Sequence, residues 1–311
     1  QGIKKRISID TLIPVLAFVI LFLVFLIWSK GKLVSRYNLT NIIEQTIPSL
    51  IGGLGVIFVT ATGSTDLSVG ANAALSATIG AYLASRYGSW IMIPATLVIG
   101  CVVGLLNGFL VTKCKLSSFM TTLAMLISLR GLLNYILTLE LITMPAPLRV
   151  INRFPVRFAI LIILIAIMAY LFEYTKIGYY CKAMGENERT VIATGINAGK
   201  MRRIAFFISG LMAAVFGIIV MSKVGGSTNS LCQFMEMKIQ MAIFLGGVLV
   251  TGGFGAKIYK LIIGSFTIVV IENGLMLCKV DATMSMAIQG ILLMLVLFVT
   301  IYSSERSLRK T

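Results

Sequence analysis

Gly185 to Arg203 reads GENERTVIATGINAGKMRR, the longest polar interruption in a chain that is otherwise mostly apolar. Apolar runs long enough to cross a bilayer lie on either side of it, so it is read as an extramembrane loop of a chain threaded repeatedly through lipid. Glu188 to Ile196 has helix-forming content, and Val191, Ile192 and Ile196 make one apolar stripe at i, i+1 and i+5. A short amphipathic helix of that kind suits a groove on another molecule. Lys182, Lys200, Arg202 and Arg203 flank or end the stretch, which by the positive-inside rule places it in the cytoplasm.

Composition supports the same reading. The 311 residues are 58% hydrophobic and 12% charged, outside the range of soluble domains and inside that of polytopic membrane proteins. A net charge of +16 would suggest nucleic acid in a soluble protein, but here most cations sit in short loops, where they set orientation. No nucleic-acid partner is expected. Cys101, Cys114, Cys181, Cys232 and Cys278 form no CxxC pair and the chain has no histidine, which argues against zinc, haem or a disulfide framework. Buried free thiols are expected instead.

About ten segments satisfy the ~20-residue apolar length that a spanning helix requires. They lie near 11–28, 42–62, 69–86, 90–112, 119–140, 156–174, 203–223, 235–250, 257–276 and 283–302. The first resembles a signal peptide superficially but is too long and lacks an A-x-A-like site, so an uncleaved spanning helix is expected. The chain begins with Gln1, and a start methionine is expected before it. With an even number of spans both termini share a side. Of the 27 Lys and Arg residues, 16 then fall on the side of the termini and 10 on the other, with Arg130 inside a span, so the termini are placed in the cytoplasm. The segment of about 182–203 is expected to receive force there from a cytosolic partner.

Gly100, Gly104 and Gly108 recur at intervals of four in the fourth span, as do Ser76, Gly80 and Ala84 in the third. Small residues on one stripe let helices approach closely in lipid, so a tight bundle is expected. Two places break the helical pattern: Thr60-Ala61-Thr62-Gly63-Ser64-Thr65-Asp66 and Thr251-Gly252-Gly253-Phe254-Gly255. They follow spans two and eight, so both would face the same side, as in a parallel internal repeat.

Little in the chain suits enzyme chemistry. Most of the eleven acidic residues belong to termini, loops or span ends, leaving Asp66 and Glu272, which make no catalytic pair. Gly195-Ile-Asn-Ala-Gly199-Lys200-Met201 has three residues between its glycines where a phosphate loop needs four, and methionine where Ser or Thr must meet magnesium. The chain is not expected to hydrolyse ATP. Asp66, ahead of Leu67-Ser68-Val69-Gly70, is read either as a helix N-cap or as part of a permeation path or gate, and both can hold together. Arg130 lies midway along the fifth span and must face the bundle or a wet cavity. Glu272, helix C-terminal carbonyls and a neighbouring subunit are its candidate partners. Glu272-Asn273-Gly274 reads similarly.

An ordered set of motifs runs from about residue 46 to 302. It comprises Gly63-Ser64-Thr65-Asp66-Leu67-Ser68-Val69-Gly70, Asn107-Gly108 with Val111, Phe119 followed by Thr122-Leu123, and Arg130-Gly131. It continues with Gly185-Glu186-Asn187-Glu188, Gly195-Ile196-Asn197, Leu245-Gly246-Gly247, Gly252-Gly253-Phe254-Gly255 and Asn273-Gly274-Leu275. In these the chain resembles the permease subunits of the ribose-type family of ATP-binding-cassette importers, which carry monosaccharides and related small polar solutes. The resemblance implies an all-α polytopic membrane protein of about ten transmembrane helices with short loops and broken or half helices, one permease domain over 1–311, in the bacterial cytoplasmic (inner) membrane.

It also implies two permease chains, the same or related, forming the pore, cytosolic ATPase subunits that use Mg-ATP, and an extracytoplasmic binding protein that delivers the solute. No cofactor belongs to the chain itself. Gly185, Glu186, Asn187, Glu188, Ala193, Thr194, Gly195 and Ile196 match the segment that couples to the ATPase. Thr65, Asp66, Leu67, Ser68, Arg130, Glu272 and Asn273 are the candidates for the path or gate.

The chain departs from the family pattern at Ser64-Thr65, where the family has Gly-Ile or Ser-Ile, and at Ser118, where it has proline. It also carries Lys238 and Gln240 in place of acidic and alanine-rich positions. A nucleoside, a furanose-like signalling molecule or an amino acid therefore stays open as the solute. A secondary transporter with Asp66 or Glu272 as its coupling acid is the rival class, and a membrane-embedded enzyme lacks a constellation to support it.

Overall fold

Apolar runs of twenty or more residues without internal partners have one low-cost conformation in lipid, the helix, because only there does each backbone N–H meet a carbonyl of its own segment. A computed structural model bears this out over the described residues, which are 9–281, 283–285, 287–292, 294, 295 and 298, with side chains from 14 onward. In chain order the helices are α1 (Ile9–Trp28), α2 (Arg36–Ala61), α3 (Val69–Tyr87), α4 (Met92–Lys113), α5 (Ser118–Leu139), α6 (Phe154–Tyr174), α7 (Lys176–Ala193), α8 (Ala198–Val224), α9 (Met235–Leu245) and α10 (Ile258–Leu277). Among the described residues the nearest thing to a sheet is one isolated antiparallel bridge, Thr143 with Gly226.

Six of the described helices are long and apolar enough to cross a membrane: α2, α4 with the turn before it, α5, α6, α8 and α10. That is fewer than the ten segments laid down from hydropathy. The clearest difference is at 235–250, where α9 has only 11 residues, about 16 Å against the ~30 Å of a hydrocarbon core. Gly246 and Gly247 end it, the latter at φ +80. The tenth segment, 283–302, is described only in part, and Lys4, Lys5, Arg6, Arg306, Arg309 and Lys310 lie outside the described residues.

The chain divides into two compact units. The larger holds residues 47–239 and 250–258. Its centre is the pair α4 and α8. A Cβ on Gly104 would fall 2.4 Å from the Phe206 carbonyl oxygen and 3.1 Å from the Gly210 Cα, so the two backbones touch where both lack side chains. The glycine stripe read from the sequence is this contact. Around the pair, Phe58 of α2 meets Phe172 of α6 edge to face at 4.8 Å, which closes the buried layer between those helices.

The smaller unit holds residues up to 46, 240–249 and 259 onward. Its apolar centre brings Phe25 of α1 and Leu33 together with Ile268, Val269, Ile271 and Leu275 of α10. Lys260 is buried there, and its ammonium donates to the Gly247 carbonyl at 3.0 Å, a partner supplied by the turn that stops α9.

Candidate functional site

The polar stretch 185–203 folds as a helix, a break and a second helix. α7 continues to Glu186, then Asn187 leaves helical geometry at φ −157 and ψ 99. Its side-chain oxygen accepts from the Thr190 N–H at 3.2 Å, so Asn187 caps a short new helix, Glu188 to Ala193. Thr194 ends that helix and Gly195 turns the chain at φ +83, a left-handed conformation that glycine takes without strain. Helix was expected as far as Ile196; the glycine stops it sooner. The expected apolar stripe is divided: Val191 is buried with Met184 and Ala198, Ile196 packs against them, and Ile192 is exposed.

Two charge contacts fix this segment. Glu188 pairs with Arg202 of α8 at 2.9 Å; both are partly exposed, so the pair holds orientation more than it adds stability, about 1 kcal/mol at most. Glu186 accepts from the Phe254 N–H at 2.9 Å, and the Gly253 N–H donates to the Ala61 carbonyl at 3.1 Å. The two helix-breaking stretches, 60–66 and 251–255, thus meet each other beside Glu186. Their common side was legible in the sequence, their contact was not. Nearby, Lys182 is buried against the Phe172 ring, its ammonium 2.6 Å from Glu173, and burial pushes its pKa down against the pull of that carboxylate.

The stretch from Thr62 to Ser68 turns at Gly63, runs without helical structure to Ser68, and is heavily bonded. The Thr65 N–H donates to the Ser118 hydroxyl at 3.1 Å and the Leu67 N–H to the Thr122 hydroxyl at 3.1 Å, one turn apart at the start of α5. Asp66 is buried. One of its oxygens accepts from the Ser68 N–H at 3.0 Å and hydroxyl at 2.7 Å, the other from the Ser209 hydroxyl of α8 at 2.7 Å. Asn107 of α4 donates to the Ser68 hydroxyl at 2.8 Å. Asp66 therefore serves the N-terminus of α3 from two residues ahead of its cap, Ser68, and ties three helices together. Thr65 and Ser118, two of the departures from the family pattern, are hydrogen-bonded to each other; proline at 118 would leave the Thr65 N–H without that partner.

An open cleft of about 780 Å³ joins the two regions. Gly63 and Ser64 line it from the break, Lys115 and Ser118 from the turn into α5, Ile192 from the short helix and Arg202 from α8. Two stretches singled out separately in the sequence border one space.

Residues 38–297 match the family model described as the permease component of the branched-chain amino acid transport system. The chain belongs to that permease family. It is also 28% identical to the ribose import permease protein of Haemophilus influenzae over 282 residues, 87% of either chain. The same protein of Escherichia coli K12 is 28% identical over 279 residues, 84% of this chain and 85% of the relative. The autoinducer 2 import system permease protein of Photorhabdus luminescens is 33% identical over 272 residues, 85% of this chain and 81% of the relative. No solved structure matches the chain significantly.

The remaining site candidates of the permease lie elsewhere. Arg130 donates to the carbonyls of Leu231 at 2.6 Å and Cys232 at 2.8 Å, in the turn that leads into α9. Backbone oxygens of a loop, rather than a carboxylate or a helix end, are its partners. Glu236, which the sequence reading left among span-end acids, is buried just beyond that turn and has one oxygen without a hydrogen bond among the described residues. Glu272 and Asn273 belong to α10 in the smaller unit, Asn273 buried and Glu272 partly so. Nothing in local spacing pointed to Ser118, Thr122 or Ser209 as anchors of the break, because the contacts join residues 53 to 143 positions apart.

Proposed function

We propose that the chain is the transmembrane subunit of an ATP-driven importer for a monosaccharide or a sugar-like small polar solute. The observation that carries this is alignment over most of the chain to proteins named as ribose and autoinducer 2 import permeases. In this reading the protein crosses the bacterial cytoplasmic (inner) membrane about ten times as one permease domain, with both termini in the cytoplasm. A second permease chain completes the pore, cytosolic ATPase subunits supply Mg-ATP hydrolysis, and an extracytoplasmic binding protein delivers the solute. The chain itself carries no catalytic group or cofactor.

The capped helix Glu188 to Ala193, with Gly185, Glu186 and Asn187 before it and Thr194, Gly195 and Ile196 after it, docks on the ATPase. Exposed Ile192 offers the apolar contact, while Val191 and Ile196 transmit its displacement to the permease. The cleft gives that displacement a route: its opposite wall is the break at Gly63 and Ser64, which leads directly to Thr65, Asp66, Leu67 and Ser68. These four, with Arg130, Glu272 and Asn273, line or gate the solute path.

The test is uptake of radiolabelled ribose into proteoliposomes holding the permease with its ATPase and binding protein, with autoinducer 2, nucleosides and branched-chain amino acids as competitors. Uptake that requires Mg-ATP on the ATPase side and is competed by sugars is the expected result. Uptake that persists without the ATPase and collapses with the proton gradient would overturn the reading.

A further inference from the structure

The open cleft beside the short helix carries more positive charge than its own contacts use. Two cations line it, Lys115 and Arg202, against one acid, Glu188, and that carboxylate is already engaged by Arg202. Lys113, Lys200 and Arg203 adjoin lining residues in sequence and add to the same sign. Lys115 is exposed and makes no hydrogen bond or ion pair among the described residues. Its charge is therefore uncommitted at the cleft wall.

Arg202 supplies a second cue. One N–H of its guanidinium goes to Glu188, while its Nε–H is shielded from solvent and meets no acceptor among the described residues. A donor kept from water and left unpaired is unfavourable until an acceptor reaches it. Ser117 brings to the same space a hydroxyl that makes no capping bond, and Asn197 an amide whose oxygen is spent on the Lys200 N–H but whose NH2 is not. The volume of about 780 Å³ lies within the range of small-molecule sites and exceeds what a bare anion fills. Two cations with spare donors suit a doubly charged oxyanion, and the flanking hydroxyl and amide suit alcohol groups attached to it.

We propose that the cleft is a regulatory site for a small phosphorylated polyol, its phosphate held between Lys115 and Arg202 and its hydroxyls against Ser117 and Asn197. The phosphate competes with Glu188 for Arg202, and the bound molecule bridges the turn into α5 to the wall formed by the short helix. An occupied cleft resists the displacement that transport requires, a consequence that rests on the importer reading. Phosphoryl transfer to an imported sugar yields a solute of this class, so accumulated product would slow further entry.

The test measures equilibrium binding of radiolabelled ribose 5-phosphate to the assembled transporter in nanodiscs of zwitterionic lipid. Saturable binding that ribose does not displace is expected. Lys115→Asn removes the cation while keeping a residue that tolerates the left-handed backbone found there, φ +55, and should weaken binding at least about tenfold; Lys115→Arg should stay within about threefold of wild type. Glu188→Gln frees Arg202 and should tighten binding severalfold, a gain that a misfolded variant would not give. No saturable binding, or binding indifferent to all three substitutions, would overturn the proposal. Binding abolished when part of the lipid is phosphatidylglycerol would assign the cleft to a lipid headgroup instead and overturn it too.

In proteoliposomes, ribose 5-phosphate added with Mg-ATP on the ATPase side should slow ribose uptake at least about fivefold for wild type and much less for Lys115→Asn. Equal inhibition of both would overturn the regulatory role. Binding that depends on Lys115 in a complex that imports no sugar would refute the importer reading alone, whereas normal uptake without binding would refute the cleft site alone.

Discussion

Asn187→Ala isolates one hydrogen bond in the segment proposed to dock on the ATPase. The residue sits at φ −157, extended backbone that any side chain adopts, so substitution introduces no strain and removes only the oxygen that accepts from Thr190. Loss of such a cap costs about 1 kcal/mol. A helix of this length is far below the ~12–15 residues at which isolated helices become even marginal, so its order depends on a few contacts. These are the cap, the burial of Val191 and the Glu188–Arg202 pair.

If the docked form requires the ordered helix, 1 kcal/mol converts to roughly a fivefold weaker half-saturating concentration of ATPase. Asn187→Asp keeps the acceptor and should match the wild type, and Asn187→Gly should lose only a few tenths of a kcal/mol. The assay titrates purified ATPase against nanodisc-embedded permease and follows both binding and solute-stimulated hydrolysis. Equal affinities for the Ala and Asp variants, whether both weakened or both normal, would refute the capping argument.

Gly104→Val should force α4 from α8 and cost about 1–3 kcal/mol or more, read as an earlier thermal aggregation midpoint in detergent. Ser209→Ala withdraws a donor from the buried Asp66 carboxylate and should destabilise by about 1.5–3 kcal/mol in a denaturation series, with Ser209→Thr recovering part of the loss. Arg130→Lys keeps the charge but not the fork that reaches two carbonyls, so amide exchange in residues 225–234 should quicken by at least severalfold in a hydrogen-exchange experiment. At neutral pH maleimide should modify exposed Cys114 while Cys181, its thiol pushed up to about 12 by burial, and Cys232, raised by the same cause, stay protected until the protein unfolds.

Where hydropathy is long and uniform, the sequence was enough to find the helices. The sixth segment, expected at 156–174, is α6 at Phe154–Tyr174, and the fourth, expected at 90–112, is α4 at Met92–Lys113. It misled at 235–250 because a hydropathy average runs across Gly246-Gly247, whereas a backbone turn does not. The glycine stripe of α4 was legible as a packing surface, yet its partner on α8 was not, since close approach is a property of two helices and the spacing of one cannot choose the other. Asp66 illustrates the same limit for the site. Its proximity to a helix start was visible, but its bonds to Ser209 and, through Ser68, to Asn107 exist only once three helices have packed. Arg130 was rightly placed among groups that need a partner, and the partner turned out to be main chain, which no side-chain search would reveal.

The bare backbone contact between α4 and α8 has a mechanical meaning. Side chains that mesh can shift by a rotamer, but two helices whose main chains touch have nothing compliant between them, so they respond to load as one spar. α8 is 27 residues long, about 40 Å, with Arg202 at the cleft near its start and Gly225 at its far end, where the carbonyl of that residue accepts from the Met144 N–H. A push at one end of such a member arrives at the other as tilt rather than as bending, and the connecting loop between α5 and α6 is tied to the end that swings.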